Sequence, residues 1–102
     1  MPYISRHDRE FLDDQINELV EAISAVPSQK TGGALNYAIC RLAIGSQEPR
    51  GYTEISNMLG HIRSAETEMR RRLLDTYEDK CILENGDLKE FDAPQVTNAD
   101  II

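Results

Sequence analysis

The feature that most constrains this chain is a long stretch without proline that carries a helical stripe. Between residues 50 and 93 there is no proline, and Ile55, Met58, Leu59, Ile62, Ala65, Met69 and Leu73 recur at steps of three, one, three, three, four and four. That spacing keeps one side of an α-helix apolar over almost three heptads. Two shorter segments repeat the pattern. Leu12, Ile16, Leu19, Val20 and Ile23 form one, and Leu35, Ala38, Ile39, Leu42 and Ala43 the other. The periodicity therefore predicts an all-α fold: a three-helix hairpin or bundle with a long third helix.

Local signals set the expected boundaries. Ser5 is a candidate N-cap with Asp8 in the first turn, and Asp13 is a second candidate. The segment 6–25 reads either as one helix or as a short turn before a longer one, ending at Pro27. A loop is expected over 27–33 and a second helix over about 33–44. Gly45 is its expected left-handed cap. A second loop covers 45–51, after which Thr53 caps a helix over 54–79 or beyond. At 1.5 Å per residue that helix spans roughly 39 Å, against roughly 18 Å for the second. Gly60 inside it implies close packing against a neighbouring helix. Asn85-Gly86 forms either a short turn that stops the helix or the turn of a small hairpin. Residues 1–88 then make a single helical domain, and 89–102 an extended or mobile acidic C-terminal tail.

Composition narrows the function classes. In 102 residues there are 11 Lys and Arg against 18 Asp and Glu, a formal charge of −7. So acidic a chain disfavours a broad phosphate-backbone footprint, and no nucleic-acid partner is expected. No apolar run approaches the ~20 residues needed to cross a bilayer, so no membrane partner is expected and a cytoplasmic location is. Charge is uneven: residues 78–102 hold seven acids and two bases. The two cysteines, Cys40 and Cys81, form no metal or disulfide pattern, and Cys40 reads as a core thiol. His7 and His61 are isolated, with no histidine or cysteine spacing suited to a metal or a nucleophile–base pair. The expectation is a protein that is not an enzyme and needs no cofactor. Lys30-Thr31-Gly32-Gly33 opens a helix but lacks the order of a Walker A loop, so it reads as a turn.

Two clusters remain as candidate ligand-binding residues. Arg71 and Arg72, within the run Arg70-Arg71-Arg72, are the densest positive charge in the chain and cannot all share one helix face. Ion pairs with Glu66, Glu68 or Asp75 are one reading, and an anion pocket is the other. Asn36, Tyr37 and Arg41 stand together on the second helix, where an aromatic ring, an amide and a guanidinium suit a nucleobase or ribose. Tyr77 is a further aromatic candidate. The apolar stripe outruns what the shorter helices can cover, so a homo-oligomer is expected. Glu66, beside that stripe, either fixes an interface or lines a shared pocket.

Several stretches together resemble a known family. They are Met1-Pro2-Tyr3-Ile4, the run Gly33-Ala34-Leu35-Asn36-Tyr37-Ala38-Ile39-Cys40-Arg41-Leu42, and Tyr52-Thr53-Glu54-Ile55. Arg71-Arg72-Leu73, Tyr77-Glu78-Asp79-Lys80 and Glu84-Asn85-Gly86-Asp87 complete the set. The chain resembles, over about residues 1–88, a domain of unknown function in small proteins of tailed phages and prophages. It departs at Met69-Arg70, where the family has an aromatic before the paired arginines. The resemblance implies a host-cell cytoplasmic protein that acts by binding. It could be an oligomer that sequesters an anionic, nucleotide-like immune signal in pockets between subunits. The alternative is an interaction protein that binds a host or phage protein through its helical face.

Overall fold

A computed structural model describes residues 2–91, and every regular element among them is helical. The tail expected over 89–102 lies mostly outside those residues. Helix α1 is Arg6–Ser24, α2 is Thr31–Gln47, α3 is Tyr52–Met69 and α4 is Asp75–Asn85. A single 3-10 turn, Ser28–Lys30, precedes α2, and a π-helical turn, Arg70–Leu74, lies between α3 and α4. The chain divides into two compact units, Met1–Glu66 and Thr67–Ile102.

In the first unit, α1 is one helix from Arg6 onward. Ser5 caps it: its Oγ accepts from the Asp8 backbone N–H at 3.1 Å. Arg9 reinforces the entry, its Nε donating to the Ile4 carbonyl at 2.9 Å. Asp13 is interior to the helix and is not a cap. His7 and Phe11 meet edge to face, with ring centroids 5.2 Å apart. The helix closes with Ala25 N–H on the Glu21 carbonyl at 3.0 Å, and Pro27 follows.

The second helix differs from the expectation at both ends. Its first turn takes in Gly32 and Gly33, because Pro27 to Lys30 already tighten into a 3-10 turn. Thr31 Oγ1 donates to the Ser28 carbonyl at 2.9 Å and anchors that junction. At the other end Gly45 stays helical, and Glu48 takes the left-handed position with φ 48° and ψ 59°. Pro49 explains the shift, since a residue before proline is pushed out of right-handed helical geometry. Gly51 then opens α3 by accepting from the Ile55 N–H at 3.0 Å. Thr53 lies inside the first turn and does not cap it.

The third helical stretch runs further than residue 79. At Arg70–Leu74 the ladder loosens, and Asp75 N–H bonds the Arg70 carbonyl five residues back. This π turn slips the apolar register, so Leu73 does not simply extend the stripe of α3. Helix α4 ends at Asn85, where Gly86 at φ 87° donates its N–H to the Ile82 carbonyl at 2.8 Å. That positive φ favours glycine. The hairpin alternative fails, because Ile82 and Leu83 are helical.

Packing is the unexpected part of the fold. Among the described residues none is buried, polar or apolar. Leu19, Ile23 and Val26 of the α1 segment and Ala34 and Ala38 of α2 are only half-covered. On α2, Leu35, Leu42 and Ile44 are each more than half exposed. Cys40, expected in a core, is exposed. Gly60 has no close neighbour either, since a Cβ there would meet no atom within 4 Å. Glycine in a helix interior costs roughly 1 kcal/mol against alanine, and no contact among the described residues repays it at Gly60.

A candidate binding surface on the second helix

Helix α2 carries almost no charge. From Thr31 to Gln47 it has no acid, and Arg41 is its one ionised side chain. Its apolar residues are not confined to one stripe, so it has a groove on either side. The groove toward α1 has a volume of about 320 Å³ and is lined by Leu19, Ile23, Val26, Ala34 and Ala38, with Tyr37 and Arg41 among its walls. The groove toward α3 has about 310 Å³, with Ile39, Leu42 and Ala43 facing Met58, His61 and Ile62.

Tyr37 and Arg41 are one helical turn apart and form a unit. Arg41 Nη1 donates to the Tyr37 hydroxyl at 2.8 Å, and the guanidinium carbon lies 5.7 Å from the ring centroid. The phenol accepts from a cation and is thereby polarised as a donor. A guanidinium carries five N–H donors, so Arg41 retains others for an incoming acceptor. Cys40 Sγ lies 3.7 Å from Asn36 Oδ1, within the reach of a weak thiol hydrogen bond. Tyr37 and Arg41 therefore stand together beside an apolar groove, whereas Asn36 bonds Cys40 and does not line that groove.

The arginine pair belongs to the second unit. Arg71 grips Glu68 with two bonds, Nη2 to Oε1 at 2.7 Å and Nε to Oε2 at 3.3 Å. Arg72 Nε donates to the same Oε1 at 3.1 Å. Both guanidiniums converge on one carboxylate, the ion-pair reading that the sequence offered with Glu68. Their i+3 and i+4 offsets from Glu68 straddle it. The Glu68 side chain is 21% exposed, while Arg71 and Arg72 are 62% and 61% exposed. The cluster has a net positive charge, with its arginine heads held in place. Tyr77 is exposed on α4. The residues of the α1 wall, Leu19, Ile23 and Val26, were not singled out from sequence as part of a site. Their helical spacing marks an apolar face, but not which helix that face meets.

Among the described residues, no group of three His, Cys, Asp or Glu side chains could hold a metal ion, and no helix is long and apolar enough to cross a membrane. No curated protein and no solved structure matches the chain. One family model does match, that of the Domain of unknown function (DUF6899), over residues 1–88. Those residues are most of the sequence, including all of α1 to α4, and the chain belongs to the DUF6899 family.

Proposed function

We propose that the protein is a non-enzymatic, homo-oligomeric binding protein that captures an anionic, nucleotide-like ligand on α2. The observation that carries this reading is the Tyr37–Arg41 pair on the wall of the groove toward α1. The apolar walls accept a planar ring, Tyr37 offers a stacking face, and Arg41 meets a phosphate or carboxylate. Asn36, next to Tyr37 in sequence, lies outside the lining of that groove. Arg71 and Arg72 form a second group able to hold negative charge, organised by Glu68, and Tyr77 is an exposed aromatic on α4. Oligomerisation is supported by the lack of any buried side chain among the described residues, which leaves the main favourable term in folding only partly realised. Capture without turnover is the behaviour of a sponge, and a phage or prophage protein of this type would withdraw an immune signal from its host.

The test is titration calorimetry with cyclic nucleotides and ADP-ribose, followed by chromatography of the released ligand. Binding of one of them, its recovery unchanged, and at least tenfold weakening in Arg41→Ala are expected. No heat with any of them at protein concentrations of order 100 μM would overturn the reading.

A second reading is favoured by the lining of the same groove. Apart from Tyr37 and Arg41 its walls are aliphatic, which suits an amphipathic helix of a host or phage protein. A stoichiometric protein partner with no retained small molecule would select it.

A further inference from the structure

The groove between α1 and α2 restricts what it can hold by where its polar atoms lie. Apart from Tyr37 and Arg41, every residue lining it is aliphatic. We propose that this groove takes a small amphiphilic monoanion, a flat ring bearing one negative group, and leaves the hydrogen-bonding edge of the ring unread. Among nucleotides, purine monoanions of either base then bind alike. The proposal deepens the nucleotide-like ligand reading and rests on it.

Three observations on the groove carry it. The first is the placing of polar groups. The Tyr37 hydroxyl accepts from Arg41 at 2.8 Å and keeps its own proton to donate beside the guanidinium. The two polar side chains of the lining thus serve one spot, and an anion there takes both. Backbone groups add little. The lining residues other than Val26 lie in α1 or α2 and bond along their own helix. The Val26 N–H is spent on the Ile23 carbonyl at 3.1 Å. The second observation is charge. Arg41 is the one charged residue among those lining the groove. One guanidinium matches one phosphodiester, sulfonate or carboxylate group through paired N–H donors. A second negative charge finds no cation in the lining and meets the field of a chain of net charge −7. The third is size. About 320 Å³ is at the small end of ligand pockets, which run to about 1,000 Å³. One ring system and its anion fit that space.

The remaining walls act on ring area alone. Leu19, Ile23, Ala34 and Ala38 gain from covering an apolar face, and the Tyr37 ring from stacking on one. The groove is also open, with Tyr37 64% and Leu42 58% exposed, so the edge of a ring laid along them stays in water. A site rejects a near-isostere strongly only where it sets fixed partners against the polar groups that differ. Adenine and guanine differ at their edges, where this groove offers no side-chain partner. The anion, by contrast, is read directly by Arg41.

The experiment titrates the full chain by calorimetry, at protein concentrations of order 100 μM, with five probes. They are cyclic AMP, cyclic GMP, uncharged adenosine, ADP-ribose with its two phosphates, and naphthalenesulfonate, a flat monoanion without a hydrogen-bonding ring edge. Cyclic AMP, cyclic GMP and naphthalenesulfonate should bind within about threefold of one another. Adenosine should bind at least tenfold more weakly, and ADP-ribose no more tightly than cyclic AMP. Arg41→Ala should bring cyclic AMP down to the level of adenosine, with helicity by circular dichroism unchanged. A tenfold or greater preference for one purine, or no binding of naphthalenesulfonate where cyclic AMP binds, means that the ring edge is read. Either result overturns this inference and leaves nucleotide capture standing. ADP-ribose binding at least tenfold more tightly than cyclic AMP does the same to the single-anion limit. No heat with any of the five overturns both.

Discussion

Arg41 donates to the hydroxyl of Tyr37 across one turn of α2, at 2.8 Å, while its guanidinium also lies near the ring face. The pair makes Tyr37→Phe informative. That change keeps the ring and removes the acceptor that holds Arg41. Affinity for an anionic ligand should fall by about three- to tenfold in calorimetry, corresponding to a net hydrogen bond of about 1 kcal/mol. Tyr37→Ala should weaken it further, because the stacking face is lost as well. Equal effects of the two substitutions would remove the ring from the binding surface.

Glu68→Gln should release both arginines from their shared carboxylate. The arginines are mostly exposed, so each pair is worth little after solvent screening, roughly 0.5 kcal/mol. Thermal unfolding at fixed protein concentration should show a small loss of stability at low salt that fades at 1 M salt. A loss above about 2 kcal/mol would mean that Glu68 has a structural role beyond these pairs.

Ser5→Ala removes the acceptor for the Asp8 N–H at the start of α1. The expected loss is about 1 kcal/mol, measured by chemical denaturation. Asp13→Ala should have no capping cost, because Asp13 sits in the helix interior.

Glu48→Gly sets two effects against each other. It relieves a non-glycine residue of left-handed geometry, a gain of about 1 kcal/mol. It also deletes the Arg50–Glu48 pair, whose side chains are 82% and 71% exposed at 3.7 Å and contribute little. The net expectation is stabilisation, read as a raised Tm. A lowered Tm would show that the pair outweighs the backbone strain.

Dilution should unfold the protein. If the apolar faces of α2 are covered only by other copies, folding and association share one equilibrium. Helicity by circular dichroism should then fall as the chain is diluted from micromolar to nanomolar concentration, and Tm should rise with concentration. Unchanged helicity across that range would show that a single chain holds its own fold.

The apolar steps of three and four were sufficient to predict an all-helical chain, because that periodicity belongs to no other regular structure. Ser5 and Gly86 were legible for similar reasons, as each satisfies a terminal backbone group through its own chemistry. Gly45, Thr53 and Gly60 were misread where a local preference met a competing neighbour or an absent one. Pro49 moved the end of α2 past Gly45, Gly51 opened α3 ahead of Thr53, and no helix packs on Gly60. The candidate residues of α2 were proposed from composition and spacing alone. The position of Tyr37 and Arg41 beside the α1 groove needed the fold, whereas the pairing of Arg71 and Arg72 with Glu68 follows from helical spacing alone. Helix content thus came from periodicity, a property of near neighbours in the chain. Which faces remain uncovered came only from the way distant segments meet, since burial depends on contacts that no local pattern specifies.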